Sequence, residues 1–162
     1  MNNSTKNLKE EIMNNYEINK ETLIIYPHEK EKSLIKENCS EYIINLSPIK
    51  IINESCLYFG SSYLGRLQST KRLFGYSKKV PIIIEESNNI IFFPLESPRL
   101  NSCIWISLNN IKEYYSKNNQ TKVIFYCGKE EFLPISYFSF DNQILRANRL
   151  LTFLLKKQQK NN

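Results

Sequence analysis

Short runs of β-branched and aromatic residues, each bounded by turn-forming residues, constrain the fold of this chain more than any other feature of its sequence. A run of four to six such residues is too short for an amphipathic helix and favours a strand. Five runs are clear, at residues 22–26 (TLIIY), 80–85 (VPIIIE), 90–94 (IIFFP), 103–107 (CIWIS) and 122–126 (KVIFY). The chain is therefore expected to build much of its core from β-sheet.

Further strands are expected where the pattern is weaker. Residues 33–36, 111–115 and 131–135 fit strands that pair with neighbouring runs, the last through a turn at 127–129 (CGK). Pro27 is expected to end the first strand. In residues 41–52 (EYIINLSPIKII) Ser47 precedes Pro48, and proline cannot donate to a strand ladder. We expect two short strands with a bend there, or one strand that ends at Leu46.

Two basic helices complete the predicted secondary structure. Residues 62–74 have apolar side chains near helical spacing, follow the capping sequence Gly60-Ser61-Ser62, and precede Gly75, a typical helix-ending residue. Residues 138–157 have a second apolar face, with Asp141 as the expected N-cap. The predicted class is α+β, mostly antiparallel β-sheet with two basic helices.

The domain organisation predicted from composition is simple. Residues 1–15 are polar and form a flexible tail or a short helix, residues 16–157 form one domain, and residues 158–162 form a polar tail. Residues 22–27 (TLIIYP) resemble 89–94 (NIIFFP), and 40–50 (SEYIINLSPIK) resemble 102–112 (SCIWISLNNIK). If this pseudo-repeat is real, the halves are 16–78 and 79–157, and each ends in a basic helix.

Charge is distributed in blocks along the chain, whose formal net charge is +6. Residues 42–84 have six Lys or Arg against one acid, and residues 132–162 have five against one. Residues 55–84 contain no Asp or Glu at all. Clustered positive charge favours a polyanionic partner through counterion release, although a solvated basic surface without a partner gives the same pattern.

Several classes of function are disfavoured by the same sequence. Four cysteines lie far apart and His28 is the only histidine, so neither a zinc site nor a catalytic triad is expected. No cofactor-binding motif and no apolar run of membrane-spanning length occurs. We expect a cytoplasmic protein that is not an enzyme, has no metal or cofactor and no membrane association, and keeps its cysteines as free thiols, three of them inside apolar runs.

One anion-binding arrangement can be drawn from the residues alone. Ser61 and Ser62 at a helix start, with Arg66 one turn further along, could hold a phosphate through free N–H groups, hydroxyls and the positive helix end. An ordinary N-cap with a small-residue packing contact explains the same residues and is the favoured interpretation when they are taken alone. Tyrosines interleaved with Lys and Arg suit nucleic acid, but they suit a core as well.

Four longer segments resemble the ComK family, the competence transcription factors of low-GC Gram-positive bacteria. They are SCLYFGSSYLGR (55–66), VPIIIEESNNIIFFPLESPR (80–99), CIWIS (103–107) and LPISYFSFDNQILRA (133–147). Similar blocks occur in the same order across about residues 16–155. The resemblance implies a sequence-specific DNA-binding activator of genes for DNA uptake, which recognises A/T-rich promoter boxes through the minor groove as a dimer or tetramer.

The resemblance does not supply a contact list, so the candidate DNA-binding residues rest on charge and position. They are, in order of preference, Arg66, Lys71 and Arg72, then Lys78 and Lys79, with Ser61 and Ser62 as phosphate ligands and Arg146 and Arg149 as weaker candidates. RNA polymerase and a proteolytic adaptor are further partners that the resemblance implies.

Family members extend beyond the closing helix, with a C-terminal segment that the adaptor uses. This chain ends at Asn162, so neither adaptor-mediated turnover nor full activation is carried over from the resemblance. The alternative function is accordingly a ComK-like interaction partner or antagonist that lacks activating power.

Overall fold

A computed structural model describes residues 11–161 of the chain. The ten strands that it places in this range are, in chain order, β1 (Ile12–Met13), β2 (Thr22–His28), β3 (Lys32–Glu37), β4 (Glu41–Ile44), β5 (Ile82–Glu85), β6 (Ile90–Pro94), β7 (Trp105–Ser107), β8 (Ile111–Lys117), β9 (Gln120–Phe125) and β10 (Glu130–Leu133). The helices are α1 (Pro48–Tyr58), α2 (Tyr63–Phe74) and α3 (Tyr137–Lys160). The predicted α+β class is confirmed, with one helix more than expected.

The strands form two sheets. The larger sheet has seven strands in the order β1-β4-β3-β2-β7-β6-β5, and all its pairs are antiparallel except β1 with β4. The smaller sheet has the order β10-β9-β8 and is antiparallel throughout. Because β2 pairs with β7, strands from the two expected halves of the chain share one continuous sheet.

Both faces of the seven-stranded sheet are buried. Ile24 and Ile83 face one core, which the three-stranded sheet and α3 complete. Ile25 and Ile82, one position along in each strand, face the other core, which α1 and the first half of α2 cover. Successive side chains of a strand point to opposite faces, so a strand buried on both sides is apolar at every position. This explains why the short apolar runs of the sequence are continuous and not alternating.

Helix α1 is the largest departure from the prediction, because residues 48–52 were expected to be strand or bend. Pro48 lies at the start of the helix, where its missing N–H is no loss, and Ser47 is the N-cap residue. Ile51, Ile52, Ser55 and Cys56 are buried and share one helical face. The isoleucines therefore pack as a helix against the sheet, despite their preference for strands.

Smaller expectations also fail locally. Strand β2 continues through Pro27, which pairs with Ser33 of β3. On its other side β2 pairs with β7 only at Ile24 and Ile25. Pro27 lies beyond that pairing, so its missing N–H is tolerated. The N-cap of α3 is Ser136, not Asp141, whose carboxylate instead accepts a hydrogen bond from the Tyr114 hydroxyl at 2.5 Å.

The expected tails and the pseudo-repeat can be compared with the observed helices and strands. Strand β1 lies inside the expected N-terminal tail, and α3 extends to Lys160 inside the expected C-terminal one; residues 1–10 lie outside the described residues. The strands of the first pair of similar segments, β2 and β6, both flank β7 in the sheet. In the second pair, residues 48–50 begin a helix whereas Ile111 and Lys112 begin a strand, so these ends are not structurally equivalent.

Candidate nucleic-acid interface

Helix α2 leads from one face of the seven-stranded sheet to the other around its edge strand β5. Tyr63 and Leu67 pack in the core shared with α1, whereas Phe74 packs in the core shared with α3. Gly75 ends the helix in the left-handed conformation, with φ of 72°, as its sequence position predicted. The C-terminal half of α2 therefore packs against α3.

The start of α2 is a closed N-cap. The Ser62 hydroxyl accepts a hydrogen bond from the Gly65 N–H at 3.0 Å, and Asn53 on α1 accepts one from the Tyr63 N–H at 3.1 Å. Two of the N–H groups that a phosphate would need are thus already used within the protein. The geometry favours the capping interpretation of Ser61 and Ser62 over the phosphate site.

Arg66, the first candidate from the sequence, lies in an internal ion pair. Its Nη1 atom is 3.0 Å from a carboxylate oxygen of Glu86, which is also 3.3 Å from Nζ of Lys157 on α3. Burial disfavours the ionised form of Glu86, but hydrogen bonds and charges from Arg66 and Lys157 outweigh it and lower the pKa of the carboxyl. Arg66 thus links α2, the β5–β6 turn and α3, and is not a free cation.

Arg146 of α3 also makes internal contacts, with the segment that follows α2. Its guanidinium donates to the backbone carbonyls of Lys78 (2.7 Å) and Lys79 (3.4 Å) and to the side chain of Gln143 (2.7 Å). The buried amide of Gln143 donates in turn to the carbonyls of Lys79 and Pro94. Burial lowers the pKa of the Arg146 guanidinium, although the neighbouring Tyr76 opposes the shift. These contacts fix the segment between α2 and β5 onto α3.

An aromatic stack lies between the C-terminal end of α2 and helix α3. The rings of Phe74 and Tyr76 are stacked, with centroids 5.3 Å apart and planes at 15°, and Phe153 of α3 meets Phe74 edge-on. The Arg149 guanidinium lies 5.3 Å from the Phe74 centroid and 5.8 Å from that of Tyr76. Because the side chain of Arg149 is exposed, the stack holds a cation at the surface.

Arg149 contacts this stack, and the exposed Lys71, Arg72 and Lys78 are close to Phe74 and Tyr76 in sequence. We refer to these four exposed cations together as the basic surface. Within residues 11–161 none of the four is in an ion pair. Lys79 is half-buried and has its backbone in the left-handed region, with φ of 49°. The structure therefore brings together candidates from both basic blocks of the sequence. Arg66 differs from them because it is paired with Glu86, and the Ser62 hydroxyl is used in the N-cap of α2.

Three residues that organise the site were not among the sequence candidates. Glu86 pairs with both Arg66 and Lys157, and Gln143 donates a hydrogen bond to the carbonyl of Lys79. Glu86 lies just beyond the acid-free segment, and this proximity in sequence was the one available signal. Gln143 gave a weaker signal, as a polar residue on the apolar face of a predicted helix.

Two further kinds of site concern metal ions and membranes. Between residues 11 and 161 no group of three or more His, Cys, Asp or Glu side chains is placed to hold a metal ion. Nor does any helix in that range have the length and apolarity needed to cross a bilayer.

The fold and the basic surface together indicate the class of protein. An α+β domain with unpaired Lys and Arg gathered around aromatic rings on one surface is typical of proteins that bind polyanions. The family model described as ComK protein matches residues 13–160. This chain belongs to the ComK family.

A curated relative supports the assignment. The chain is 38% identical over 145 residues to a protein of Bacillus subtilis (strain 168) named competence transcription factor, and the match covers 86% of this chain and 75% of the relative. No solved structure matches the chain.

Proposed function

We propose that this protein is a sequence-specific DNA-binding transcriptional activator of competence genes, which it recognises through A/T-rich promoter boxes. Membership of the ComK family and the name of the Bacillus subtilis relative support regulation of competence transcription. The proposal involves no catalytic step and no cofactor.

The single observation that carries the DNA-binding part is the basic surface. Lys71, Arg72, Lys78 and Arg149 are exposed and have no carboxylate partner among the described residues, so each can displace a counterion from a phosphate. A-tracts have a narrow minor groove of strongly negative potential that attracts arginine. Arg72 and Arg149 are accordingly our candidates for the groove, and Lys71 and Lys78 for the backbone.

The remaining candidates from the sequence receive supporting roles in this proposal. Arg66 and Arg146 position α2 and the following segment, while Ser61 and Ser62 begin α2. Lys79 contributes its carbonyl to the contact with α3. The proposed contact set is therefore narrower than the one expected from charge and position alone.

The proposed partners follow from this activity. Double-stranded DNA with paired A/T-rich boxes is bound by a homodimer or tetramer, which places two or more basic surfaces along one face of the duplex. Activation requires a contact with RNA polymerase, and a proteolytic adaptor is a further proposed partner. Two-fold related surfaces predict that the spacing of the boxes is constrained to the helical repeat of DNA.

Binding to a promoter fragment across a salt series tests the proposal. The fragment contains A/T boxes, and a matched competitor has those boxes replaced by G/C sequence. We expect preferential binding to the A/T boxes and a steep loss of affinity with salt, since phosphate contacts release counterions. Equal binding to both fragments would contradict sequence-specific recognition.

In vitro transcription from the same fragment separates the activator from the alternative function. An activator is expected to raise transcript yield at protein concentrations that saturate the boxes. Binding without activation would instead favour the antagonist, and absence of both activities would favour a module that acts only through proteins.

A further inference from the structure

A groove of about 450 Å³ lies between α2 and α3, beside the edge strand β5. Ile83, Leu150 and Leu154 form its floor, and Leu73 and Phe153 form its sides. Leu73 is 45% exposed, although it lies among apolar neighbours. The apolar surface that the fold leaves uncovered here belongs to Leu73 and to the half-buried Phe153, whereas Leu150 and Leu154 are fully buried beneath them.

Charge on the rim of this groove is predominantly positive. Arg66, Arg72 and Lys157 lie along it, against the single carboxylate of Glu86. Glu86 is engaged with Arg66 and Lys157, whereas Arg72 has no ion pair within residues 11–161. An occupant that complements this rim has carboxylates at its edges and apolar side chains at its centre.

The dimensions of the groove suit one short helix. The lining residues extend from Arg66 to Leu73 on α2 and from Leu150 to Lys157 on α3. Each stretch is two helical turns, or about 10 Å of helix. A helix that fills such a groove needs apolar side chains at i, i+3 or i+4, and i+7, which is a recurrent mode of peptide recognition.

Duplex DNA does not fit the groove itself. Phosphates placed against Leu73 and Phe153 would lose hydration and gain no hydrogen-bond donor from these apolar side chains. The groove and the basic surface share only Arg72 and otherwise consist of different residues, so the groove can bind a second partner whether or not the basic surface binds DNA.

We propose that the groove between α2 and α3 binds an acidic amphipathic helix of a partner protein. Its apolar side chains pack on Leu73 and Phe153, and its carboxylates pair with Arg72. Because Arg72 also belongs to the basic surface, occupation of the groove changes the charge available to DNA. The site is thus an interaction surface for a regulator of the protein.

Selection from a library of displayed random peptides, each about 16 residues long, tests this proposal with the full chain as bait. The length allows about four helical turns, enough to present anchors at i, i+3 or i+4, and i+7. Counter-selection uses Leu73→Glu, a change at an exposed position that the fold should tolerate. We expect enrichment of sequences with apolar residues at that helical spacing and Asp or Glu beside them.

An enriched peptide is then synthesised with a fluorescent label, and its binding is measured by anisotropy in the absence of DNA. Leu73→Glu and Arg72→Glu are each expected to weaken binding at least tenfold. Leu64→Glu places the same charge at an exposed leucine of α2 that does not line the groove, and is expected to leave binding unchanged. Circular dichroism of each variant checks that it is folded.

Three results would overturn the proposal. They are a selection that enriches no peptide, enriched peptides without acidic residues, and peptide binding that is equally strong in Leu73→Glu. Sedimentation velocity adds a fourth: a fall in oligomer mass caused by Leu73→Glu alone would assign the groove to a second copy of the chain. The first three results do not bear on DNA binding by Lys71, Lys78 and Arg149.

Discussion

The guanidinium of Arg146 lies 4.2 Å from the centroid of the Tyr76 ring, so that a cation of α3 covers an aromatic side chain of the segment that follows α2. The same guanidinium donates hydrogen bonds to the carbonyls of Lys78 and Lys79. One side chain thus attaches the first basic block of the sequence to the second. The basic surface depends on this attachment for its shape.

Arg146→Ala is expected to lower the free energy of unfolding by about 1–3 kcal/mol, because it removes charged hydrogen bonds to two carbonyls and the contact with Tyr76. Urea unfolding monitored by circular dichroism measures the change. Arg149→Ala removes the same charge from an exposed position and only its contacts with the two rings, and is expected to cost about 0.5–1 kcal/mol. Equal losses for the two variants would contradict the role of Arg146 as an anchor.

Glu86→Gln is expected to strengthen DNA binding by a factor of roughly 2 to 10 at moderate salt, because Arg66 and Lys157 lose the carboxylate that neutralises them. Fluorescence anisotropy with a labelled A/T-box duplex measures the change. Glu113→Gln, at an exposed position on β8, removes the same charge elsewhere and serves as the control. Weaker binding by Glu86→Gln would show that the ion pair is needed to shape the interface.

The stability contributed by Glu86 is expected to depend on pH. The pKa of its carboxyl is lowered from the ordinary value of 4.5, so the contribution is present above pH 4.5 and is lost as the pH falls through the lowered pKa. Thermal unfolding of the wild type and of Glu86→Gln between pH 7 and pH 3 measures it. The two midpoints should differ at neutral pH and converge in acid; a constant difference would contradict the linkage.

The four cysteines are expected to separate into two reactive and two protected thiols. Cys39 and Cys127 are exposed, whereas Cys56 and Cys103 are buried, and burial raises the pKa of each buried thiol to about 11. A thiol reagent at pH 8 should therefore modify two groups rapidly and two only on unfolding. Four rapid reactions in the folded protein would contradict the placement of α1 over the sheet.

The hairpins could be predicted from the sequence because their signals are local. Turn residues separate β5 from β6 and β9 from β10, and the apolar runs of β5 and β6 are continuous because these two strands are buried on both faces. Helix α1 was not predicted because its isoleucines favour strands locally. Packing against the sheet determines that they form a helix. Two signals could have predicted this helix. One is the N-cap and first-residue pair Ser47-Pro48, and the other is the helical spacing of Ile51, Ile52, Ser55 and Cys56.

The candidate site could be predicted only in outline. Basic content identified the right segments, but exposure and pairing decide which cations are free, and both arise from contacts distant in sequence. Arg66 is paired with a carboxylate twenty positions away, and Arg146 with carbonyls more than sixty positions away. Arg149, ranked low from the sequence, is placed on the aromatic stack by the tertiary fold.

The most direct test of the central proposal is the salt dependence of DNA binding by a variant in which Lys71, Arg72, Lys78 and Arg149 are all changed to Ala. Its control changes four exposed lysines elsewhere, namely Lys20, Lys30, Lys50 and Lys112, and so removes the same charge. Anisotropy titrations with an A/T-box duplex give the slope of log affinity against log salt concentration.

The slope for the basic-surface variant should be smaller than that of the wild type by about 3 to 4, since each lost phosphate contact reduces it by about 0.9. Its affinity should fall steeply, and its preference for A/T boxes over G/C sequence should be lost. The control variant should keep nearly the wild-type slope and preference. A basic-surface variant that retains the wild-type slope, or a control that loses as much, would contradict the assignment of DNA binding to this surface.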